Sequence, residues 1–288
     1  MAQVRQTERE SETSRKSATS DRAALSLLDN AKSLAPLFMA NSVANEQNGA
    51  LSDEVIEALH DGGLFGLFVP KCLGGFEAGP VDALAVIEAV SYADASTGWV
   101  MFAVGVANGS GAAYLHDDAI ARIFRGDRFP VIAGQGIPNG KATAVKNGFQ
   151  LSGNWSYGSG LKHAAYIHTG AIVFDNGAPR LDKAGNPEGR ICVVPREQAT
   201  LGDNWDVIGL RATGSIDYSI NNVFVPEEYT HINHETRPLR GGALYSIGII
   251  GLATLGHAAF ALGVGRRALD EIAAVARAKS GSTGTLRE

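Results

Sequence analysis

Cysteine is scarce in this chain, with only Cys72 and Cys192 among 288 residues, and the two form no CxxC pair. Two thiols can pair, but isolated reduced cysteines are more typical of a cytosolic enzyme than of a secreted disulfide scaffold. An excess of basic residues is missing too, since 25 Lys and Arg face 30 Asp and Glu, for a net charge of -5. No basic patch interleaves with aromatic residues, so nucleic acid is not an expected partner.

Long uninterrupted hydrophobic runs are missing as well. The apolar stretch 243–264 is broken by several glycines, by Ser246 and by His257, whereas a membrane span needs about 20 consecutive apolar residues. The first twenty residues are polar and charged and contain no apolar core, so they are not a secretory signal and are interpreted as a disordered tail. We therefore expect a cytoplasmic protein with no membrane partner.

Several catalytic motifs are absent. Residues 134–141, GQGIPNGK, resemble a phosphate-binding loop, but Gln135 stands at the first glycine position and Ala142 at the Ser/Thr position that would bind magnesium. This segment is predicted to be a glycine-rich loop that joins two domains. The seven histidines show no HExxH spacing and no cysteine lies near them, so no metal site is predicted. No GxSxG elbow is present, and His257 on its apolar helix is interpreted as a core or interface histidine.

The composition changes twice along the chain, which predicts three structured regions. Residues 21–129 carry apolar residues at helical spacing, and residues 238–288 begin with another long helical segment. Between them, residues 130–237 contain β-type segments separated by Gly and Asn turns; these segments are 131–133, 141–151, 165–174, 190–195 and 215–225. Because no βαβ alternation occurs, the sequence predicts an α+β fold: an N-terminal helical domain, a central antiparallel β-barrel or sandwich, and the beginning of a C-terminal helical bundle.

The segment GNWSYGSG, residues 153–160, combines the largest side chains with the smallest. On a strand, alternation places Trp155, Tyr157 and Ser159 on one face. A flat aromatic ring beside hydroxyls and glycines suits a planar, hydrogen-bonding ligand. A bulged strand with a packed tryptophan accounts for the same residues, and from the residues alone this structural interpretation is the stronger of the two.

Three segments, in this order and spacing, carry a family resemblance. Residues 62–79 read GGLFGLFVPKCLGGFEAG, residues 209–226 contain GLRATGS and NVFVP, and residues 262–270 read LGVGRRALD. They resemble the acyl-CoA dehydrogenase superfamily: the turn after its second helix, its GxRxTxS…NVxVP signature, and the start of its long C-terminal helices. The resemblance covers residues 27–279 and implies that superfamily's order of helical, β and helical domains.

The resemblance implies a flavin bound between the β domain and the C-terminal helices. By position, Trp155 is the tryptophan beside the isoalloxazine ring. Ser159 is the implied catalytic residue, near the reactive edge of the ring, where it would donate a hydrogen bond. The other implied cofactor-binding residues are Gln135, Gly136, Tyr157 and Trp205. The residues implied to face the substrate are Trp99, Phe102 and Asn108.

Departures from the true dehydrogenases make the chain look more like the flavin-dependent monooxygenases of this fold. Residues 134–141 replace the TEPxxGS pattern, an SG pair at Ser159-Gly160 follows the tryptophan motif, and residues 278–284 lack the Arg-x-x-Phe that grips FAD pyrophosphate. The segment 203–205, DNW, also resembles the dibenzothiophene monooxygenase branch. This resemblance, to two-component aromatic hydroxylases and dibenzothiophene monooxygenases, implies hydroxylation of a small aromatic or heterocyclic substrate with O2. It also implies a flavin, FMN or FAD, supplied reduced by a separate reductase, and a homotetramer.

Two alternatives stay open at this point. An acyl-CoA dehydrogenase that holds FAD tightly and oxidises an acyl-CoA at its α,β bond has the same order of domains. A truncated, non-catalytic subunit is the other alternative, because the chain ends at Glu288, with only about the first helix of the implied C-terminal domain.

Overall fold

A computed structural model describes residues 26–281 and 284–285. The tail predicted for residues 1–20 lies outside the described residues. Helices come first, a β-sheet follows, and a long helix comes after the sheet. The α+β organisation predicted from the sequence is therefore confirmed, with one correction to the sheet.

The N-terminal region is helical, and local sequence explains where its helices begin. Ser26 and Asp29 form a capping box, Ser52 caps the second helix, and the Asp94 carboxylate accepts a hydrogen bond from the Thr97 backbone N–H at 2.8 Å. Within the described residues these helices are α1 (Leu27–Asn48), α2 (Asp53–Asp61), α3 (Pro80–Ala93), α4 (Ala95–Tyr114) and α5 (Asp117–Ile123). Helix α4 is buried along nearly its whole length, so it is the central helix of this region.

The central region is one eight-stranded sheet in the order β6-β7-β2-β1-β3-β5-β8, with β4 paired to β3. The strands are β1 (Ile132–Val145), β2 (Gly148–Gly158), β3 (Tyr166–Asp175), β4 (Ala178–Pro179), β5 (Gly189–Pro195), β6 (Thr200–Leu201), β7 (Ile216–Pro226) and β8 (Thr230–Ile232). Strands β1 and β3 run parallel, and the other pairs are antiparallel. The prediction of an antiparallel sheet is wrong for β1 and β3. Strand β2 pairs with one edge of β1 and is antiparallel to it, whereas β3 pairs with the other edge and is parallel.

The glycine-rich segment that was predicted to be a loop lies inside β1. The strand bulges between Gln135 and Gly140, where its register against β3 shifts. Gly134 has a φ of 140°, and a Cβ there would lie 2.2 Å from the His168 backbone oxygen, so only glycine fits. A bulge changes the direction of the side chains around it without ending the strand.

Helix α6 (Gly248–Ala278) packs on α3 and α4, and glycines allow the close approach. A Cβ on Gly256 would lie 2.0 Å from the Phe102 ring, and one on Gly263 would lie 2.4 Å from the Glu88 carbonyl oxygen. The second half of α6 keeps exposed apolar side chains, namely Leu262, Leu269, Ile272 and Val275.

The segment Ala243–Ala278 is long and apolar enough to cross a membrane, by length and composition alone. Because glycines and polar residues interrupt this segment, the sequence predicted no segment that could span a membrane. A single helix of this kind is weak support for a membrane span, because apolar helices in protein cores share these properties.

Candidate active site

The turn that follows β2 lies against α4 and the turn 211–215. Tyr157 has a φ of 63°, a left-handed conformation that is uncommon for residues other than glycine, and Gly160 has a φ of 78°. The Gly160 N–H donates to the Thr213 carbonyl oxygen at 2.9 Å, which ties the two turns together. Strained residues of this kind cluster at functional sites, where the surrounding structure holds them in place.

Ser159 is part of a chain of hydrogen bonds between side chains. The Trp99 Nε1–H donates to Ser159 Oγ at 2.9 Å. Ser159 Oγ lies 2.7 Å from Ser215 Oγ, and Ser215 Oγ lies 2.7 Å from Thr213 Oγ1. Thr213 Oγ1 donates to the Leu210 carbonyl oxygen at 2.8 Å. The three hydroxyl residues are buried, so the chain is held inside the protein.

The carbonyl at the end of this chain fixes the direction of each hydroxyl hydrogen bond. A carbonyl oxygen only accepts, so Thr213 gives its one proton to Leu210 and must accept a hydrogen bond from Ser215. Ser215 must then accept from Ser159, whose own proton is thereby committed. Ser159 keeps one free lone pair and is an acceptor, whereas the family resemblance implied a donor.

The rings of Tyr157 and Trp205 lie on the outer side of the same turn. Their centroids are 6.0 Å apart and their planes are 85° apart. The Trp205 indole N–H donates to the Leu210 carbonyl oxygen at 3.0 Å, the same oxygen that ends the hydroxyl chain. Tyr157 is 65% exposed and Trp205 is partly exposed, so both predicted cofactor-binding rings are accessible to a ligand.

Gln135 lies at the bulge of β1, two residues after Ala133, whose Cβ would lie 3.8 Å from a Cβ on Gly160. The Gln135 backbone N–H donates to Tyr218 Oη at 3.0 Å, and Gln135 Oε1 accepts from the Ile137 N–H at 3.2 Å. The side-chain NH2 group of Gln135 has no partner among the described residues. Gln135 is partly exposed and therefore offers a free amide donor.

A buried histidine, His168, lies beside Gly136, the other predicted cofactor-binding residue of this strand, and a second, His231, is close enough to His168 to affect its charge. A Cβ on Gly136 would lie 3.3 Å from His168 Nε2. Burial lowers the pKa of His168 to about 3 and the pKa of His231 to about 4. His168 Nδ1 and His231 Nε2 are buried without a hydrogen-bond partner. No cluster of three His, Cys, Asp or Glu side chains that could hold a metal ion occurs in the described part of the chain.

The structure contradicts the predicted role of Trp155. Its side chain is 1% exposed, and its indole N–H donates to the Gly170 carbonyl oxygen at 2.8 Å. The ring stacks on Tyr218, with 5.3 Å between centroids and 13° between planes. Cβ atoms on Gly140 and Gly153 would lie 2.3 and 2.7 Å from the indole, so these glycines make room for it. Trp155 is a packed core residue and offers no face to a flavin.

The prediction that Asn108 faces a substrate is also wrong. The residue is fully buried, and its Nδ2 donates to the carbonyl oxygens of Phe65, at 3.1 Å, and Pro130, at 2.9 Å. Because both protons of its amide are used, Asn108 connects α4 to the preceding turn and to the start of the sheet. Phe102 is buried as well, at the contact between α4 and α6.

Trp99 and Phe102 of α4 form an aromatic cluster with two residues of α6. The Trp99 ring lies 4.9 Å from Phe260 and 5.3 Å from His257, and the Phe102 ring lies 5.0 Å from His257, all edge to face. The sequence analysis missed Phe260 and interpreted His257 as structural. A signal was present, because residues three apart share one face of a helix.

Glu46 is a further residue that the sequence did not reveal. Its carboxylate accepts hydrogen bonds from the Ser96 hydroxyl and from the backbone N–H groups of Arg211, at 2.9 Å, and Ala212, at 3.0 Å. Burial alone would raise the pKa of Glu46, but these hydrogen bonds outweigh it, and the pKa is lowered. Glu46 therefore carries a negative charge that holds the 211–215 turn, and with it the hydroxyl chain, against α1.

Comparison with known proteins shows what the chain as a whole is similar to. Residues 27–117 match the family model of the acyl-CoA dehydrogenase N-terminal domain. The chain is 33% identical over 237 residues to indole-3-acetate monooxygenase of Pseudomonas putida, a match that covers 81% of this chain and 58% of that protein. It is 31% identical over 193 residues to HsaA of Rhodococcus jostii, named as the oxygenase subunit of a flavin-dependent monooxygenase; this match covers 67% of the chain and 48% of HsaA.

A solved structure shows the same fold. XiaF from Streptomyces sp., in complex with FADH2 and glycerol, has a TM-score of 0.78 at 24% identity, and the match covers 93% of this chain and 67% of XiaF. The chain spans about half the length of the curated relatives that it matches, 58% and 48% in the two cases above.

Proposed function

We propose that this chain, which belongs to the flavin-dependent monooxygenase family and whose residues 27–117 match the model of the acyl-CoA dehydrogenase N-terminal domain, is the oxygenase component of a two-component monooxygenase. Its reaction is the hydroxylation of a small aromatic or heterocyclic substrate with O2 and reduced flavin. The name of the Pseudomonas putida relative, indole-3-acetate monooxygenase, supports this class of substrate. The designation of HsaA as an oxygenase subunit supports a separate reductase.

The free lone pair on Ser159 is the observation that carries this proposal. Reduced flavin has an N–H at its N5 position, whereas oxidised flavin has only a lone pair there. Ser159 Oγ, whose proton is committed to Ser215, would accept a hydrogen bond from that N–H, and its lone pair would be repelled by the lone pair of the oxidised ring. The described residues therefore fit a flavin in its reduced form.

Other residues around the turn would hold the ring. The free NH2 group of Gln135 suits a flavin carbonyl oxygen. Tyr157 and Trp205 offer accessible ring surfaces. When bound, reduced flavin supplies the electrons that activate O2.

The aromatic cluster has two tasks in this function. The Trp99 indole N–H holds Ser159 Oγ at 2.9 Å and so fixes the direction of its lone pair. The rings of Trp99, Phe102 and Phe260 also keep water away from the hydroxyl chain, which strengthens hydrogen bonds made there.

Location and assembly are part of the proposal. The relatives named above come from bacteria, and both cysteines are free thiols, Cys72 exposed and Cys192 buried. These features support a cytoplasmic enzyme. From the family resemblance we propose that it works as a homotetramer.

Anaerobic equilibrium dialysis with FMN and FAD, each oxidised and photoreduced, tests the function. Wild-type protein should bind reduced flavin about tenfold more tightly than oxidised flavin, since one hydrogen bond contributes roughly 1–1.5 kcal/mol. Ser159→Ala should bring the ratio of the two dissociation constants close to one. Ser215→Ala should also bring this ratio closer to one, but by strengthening the binding of oxidised flavin. Without Ser215 the Ser159 hydroxyl proton is free and can donate to the N5 atom of the oxidised ring.

Ser156→Ala is the matched control, because Ser156 is exposed on the same strand and lies outside the hydroxyl chain. The ratio of the dissociation constants of oxidised and reduced flavin for Ser156→Ala should equal that of the wild type. Equal affinity of the wild type for both redox forms would count against the function, and no flavin binding in either form would favour the non-catalytic alternative.

A further inference from the structure

The hydrogen bond of His257 within α6 fixes which nitrogen carries the proton. His257 Nδ1 lies 2.7 Å from the Ala253 carbonyl oxygen, one turn earlier on the helix. A carbonyl oxygen only accepts, so Nδ1 must be the donor. In the neutral imidazole, the other nitrogen, Nε2, then carries a lone pair and acts as an acceptor.

The Nε2 atom of His257 is available to a ligand. The residue is exposed, and no residue in the described part of the chain forms a hydrogen bond or an ion pair with Nε2. This distinguishes it from His168 and His231, which are buried in the interior. Its rotation is restricted, because Nδ1 is held by the helix backbone and the ring packs against Trp99 and Phe102 at 86° and 77°.

His257 is connected to the hydroxyl chain through a single side chain. The Trp99 indole touches the His257 ring, with 5.3 Å between centroids, and donates its N–H to Ser159 Oγ at 2.9 Å. An aromatic molecule bound against Trp99 can therefore be close to both Ser159 and His257. Trp99 and Phe260 are both partly exposed, and aromatic surfaces of this kind suit a flat apolar ring.

We propose that His257 Nε2 accepts a hydrogen bond from an O–H or N–H group of the aromatic substrate, so that the site selects phenols and indoles over ring compounds that lack this donor. This inference rests on the proposed function and names the substrate class of the same site. An acceptor at the O–H or N–H group raises the electron density of the neighbouring ring carbons, which favours attack by an electrophilic oxygen. The histidine that sequence analysis interpreted as structural is thus a specificity-determining residue.

Binding of two isosteric ligands, measured by calorimetry with the full 288-residue chain, tests the proposal. Indole carries an N–H, and benzofuran has an oxygen in its place. Wild-type protein should bind indole about tenfold more tightly than benzofuran, the effect of one hydrogen bond to the imidazole. His257→Phe keeps an aromatic ring at this position but removes the acceptor, and should reduce the preference to about one while benzofuran affinity stays the same.

His257→Gln is the second variant, because the glutamine amide oxygen can replace Nε2 as an acceptor. It should restore part of the preference for indole, which a merely structural role of the ring does not predict. A preference that persists in His257→Phe, or a wild type that does not distinguish the two ligands, overturns the proposal.

Failure of the proposed function is recognised separately, because it is read from flavin binding and this test is read from substrate analogues. If the wild type prefers indole through His257 but binds reduced and oxidised flavin equally, the proposed substrate site is supported and the proposed monooxygenase function is refuted. If the wild type prefers reduced flavin but does not prefer indole, the proposed function is supported and the role of His257 is refuted.

Discussion

Ser159 and Trp155 are four positions apart on one strand and its turn, and their neighbours give them different roles. Ser159 is held by hydrogen bonds that leave one lone pair free. Trp155 uses its N–H on Gly170 and its ring on Tyr218, so nothing of it remains for a ligand. The residue types alone, an aromatic side chain near a hydroxyl, do not show which of the two residues is available to a ligand.

Replacing Trp155 with phenylalanine tests this division. Trp155→Phe should lower the free energy of unfolding by roughly 2–4 kcal/mol, because it leaves the buried Gly170 carbonyl oxygen unpaired and creates a cavity. Urea denaturation followed by circular dichroism measures the change. The ratio of reduced to oxidised flavin affinity should stay as in the wild type.

Tyr157→Phe provides the comparison for that experiment. Tyr157 is 65% exposed and its hydroxyl has no partner in the described part of the chain, so its unfolding free energy should change by less than about 0.5 kcal/mol. If Trp155→Phe changed the free energy of unfolding as little as Tyr157→Phe, the buried position of the indole would be contradicted.

The residues alone predicted a good part of this site, and the family resemblance implied the wrong role for two residues. From the residues alone, a bulged strand with a packed tryptophan was the stronger interpretation of GNWSYGSG, and the structure confirms it, since the register shifts between Trp155 and Gly158 and the indole is buried. The expectation that Trp155, Tyr157 and Ser159 share one face is wrong, because Tyr157 is exposed while the other two are buried. Position in the family then implied a flavin contact for Trp155 and a substrate contact for Asn108. Both are wrong because burial depends on strands and turns distant in sequence, such as Gly170 and Pro130, which local pattern does not reveal.

At the scale of elements, helix α6 is held to the N-terminal region by glycines. Gly256 and Gly263 occur where Phe102 and the Glu88 backbone come closest, and a side chain at either position would push α6 away. The aromatic cluster of Trp99, Phe102 and His257 depends on this contact, because its members come from both helices.

A pair of glycine substitutions in α6 tests this packing. Gly263→Ala should lower the free energy of unfolding by about 1–3 kcal/mol, since its Cβ would lie 2.4 Å from the Glu88 carbonyl oxygen. Gly265→Ala should raise it by up to about 1 kcal/mol, because the position has open space and alanine favours helix. Both values come from thermal unfolding, and a stabilising Gly263→Ala would contradict the close approach.

Element order was predictable from the sequence, and element pairing was not. Helical spacing and turn residues located the helical and β-type regions. The parallel pairing of β1 with β3 was missed because antiparallel and parallel strands have similar local composition. The bulge that keeps residues 134–140 within β1 was interpreted as a loop, because glycines indicate both a bulged strand and a loop.

At the scale of the whole molecule, buried neutral histidines make stability depend on pH. Burial lowers the pKa of His168 to about 3 and that of His231 to about 4, against about 6.5 in an unfolded chain. Below pH 6.5 the unfolded chain binds protons that the folded chain does not. Stability is therefore present at and above neutral pH and is lost as the pH falls.

Urea denaturation between pH 7 and pH 5 measures this loss. Each buried histidine should contribute a decrease approaching 1.4 kcal/mol per pH unit below about pH 6.5. His231→Gln should have a shallower slope than the wild type, and His116→Gln, a change at an exposed histidine, should keep the wild-type slope. Equal slopes in wild type and His231→Gln would show that the buried imidazole is not responsible.

The central claim is that Ser159 presents a hydrogen-bond acceptor to a reduced flavin. The midpoint potential of protein-bound flavin tests this claim most directly. Tighter binding of the reduced form raises the two-electron potential by about 30 mV for each tenfold of preference. Anaerobic redox titration of the wild type should give a bound potential about 30 mV above that of free flavin, and Ser159→Ala should return it to the free value. A bound potential equal to or below that of free flavin in the wild type would contradict the account.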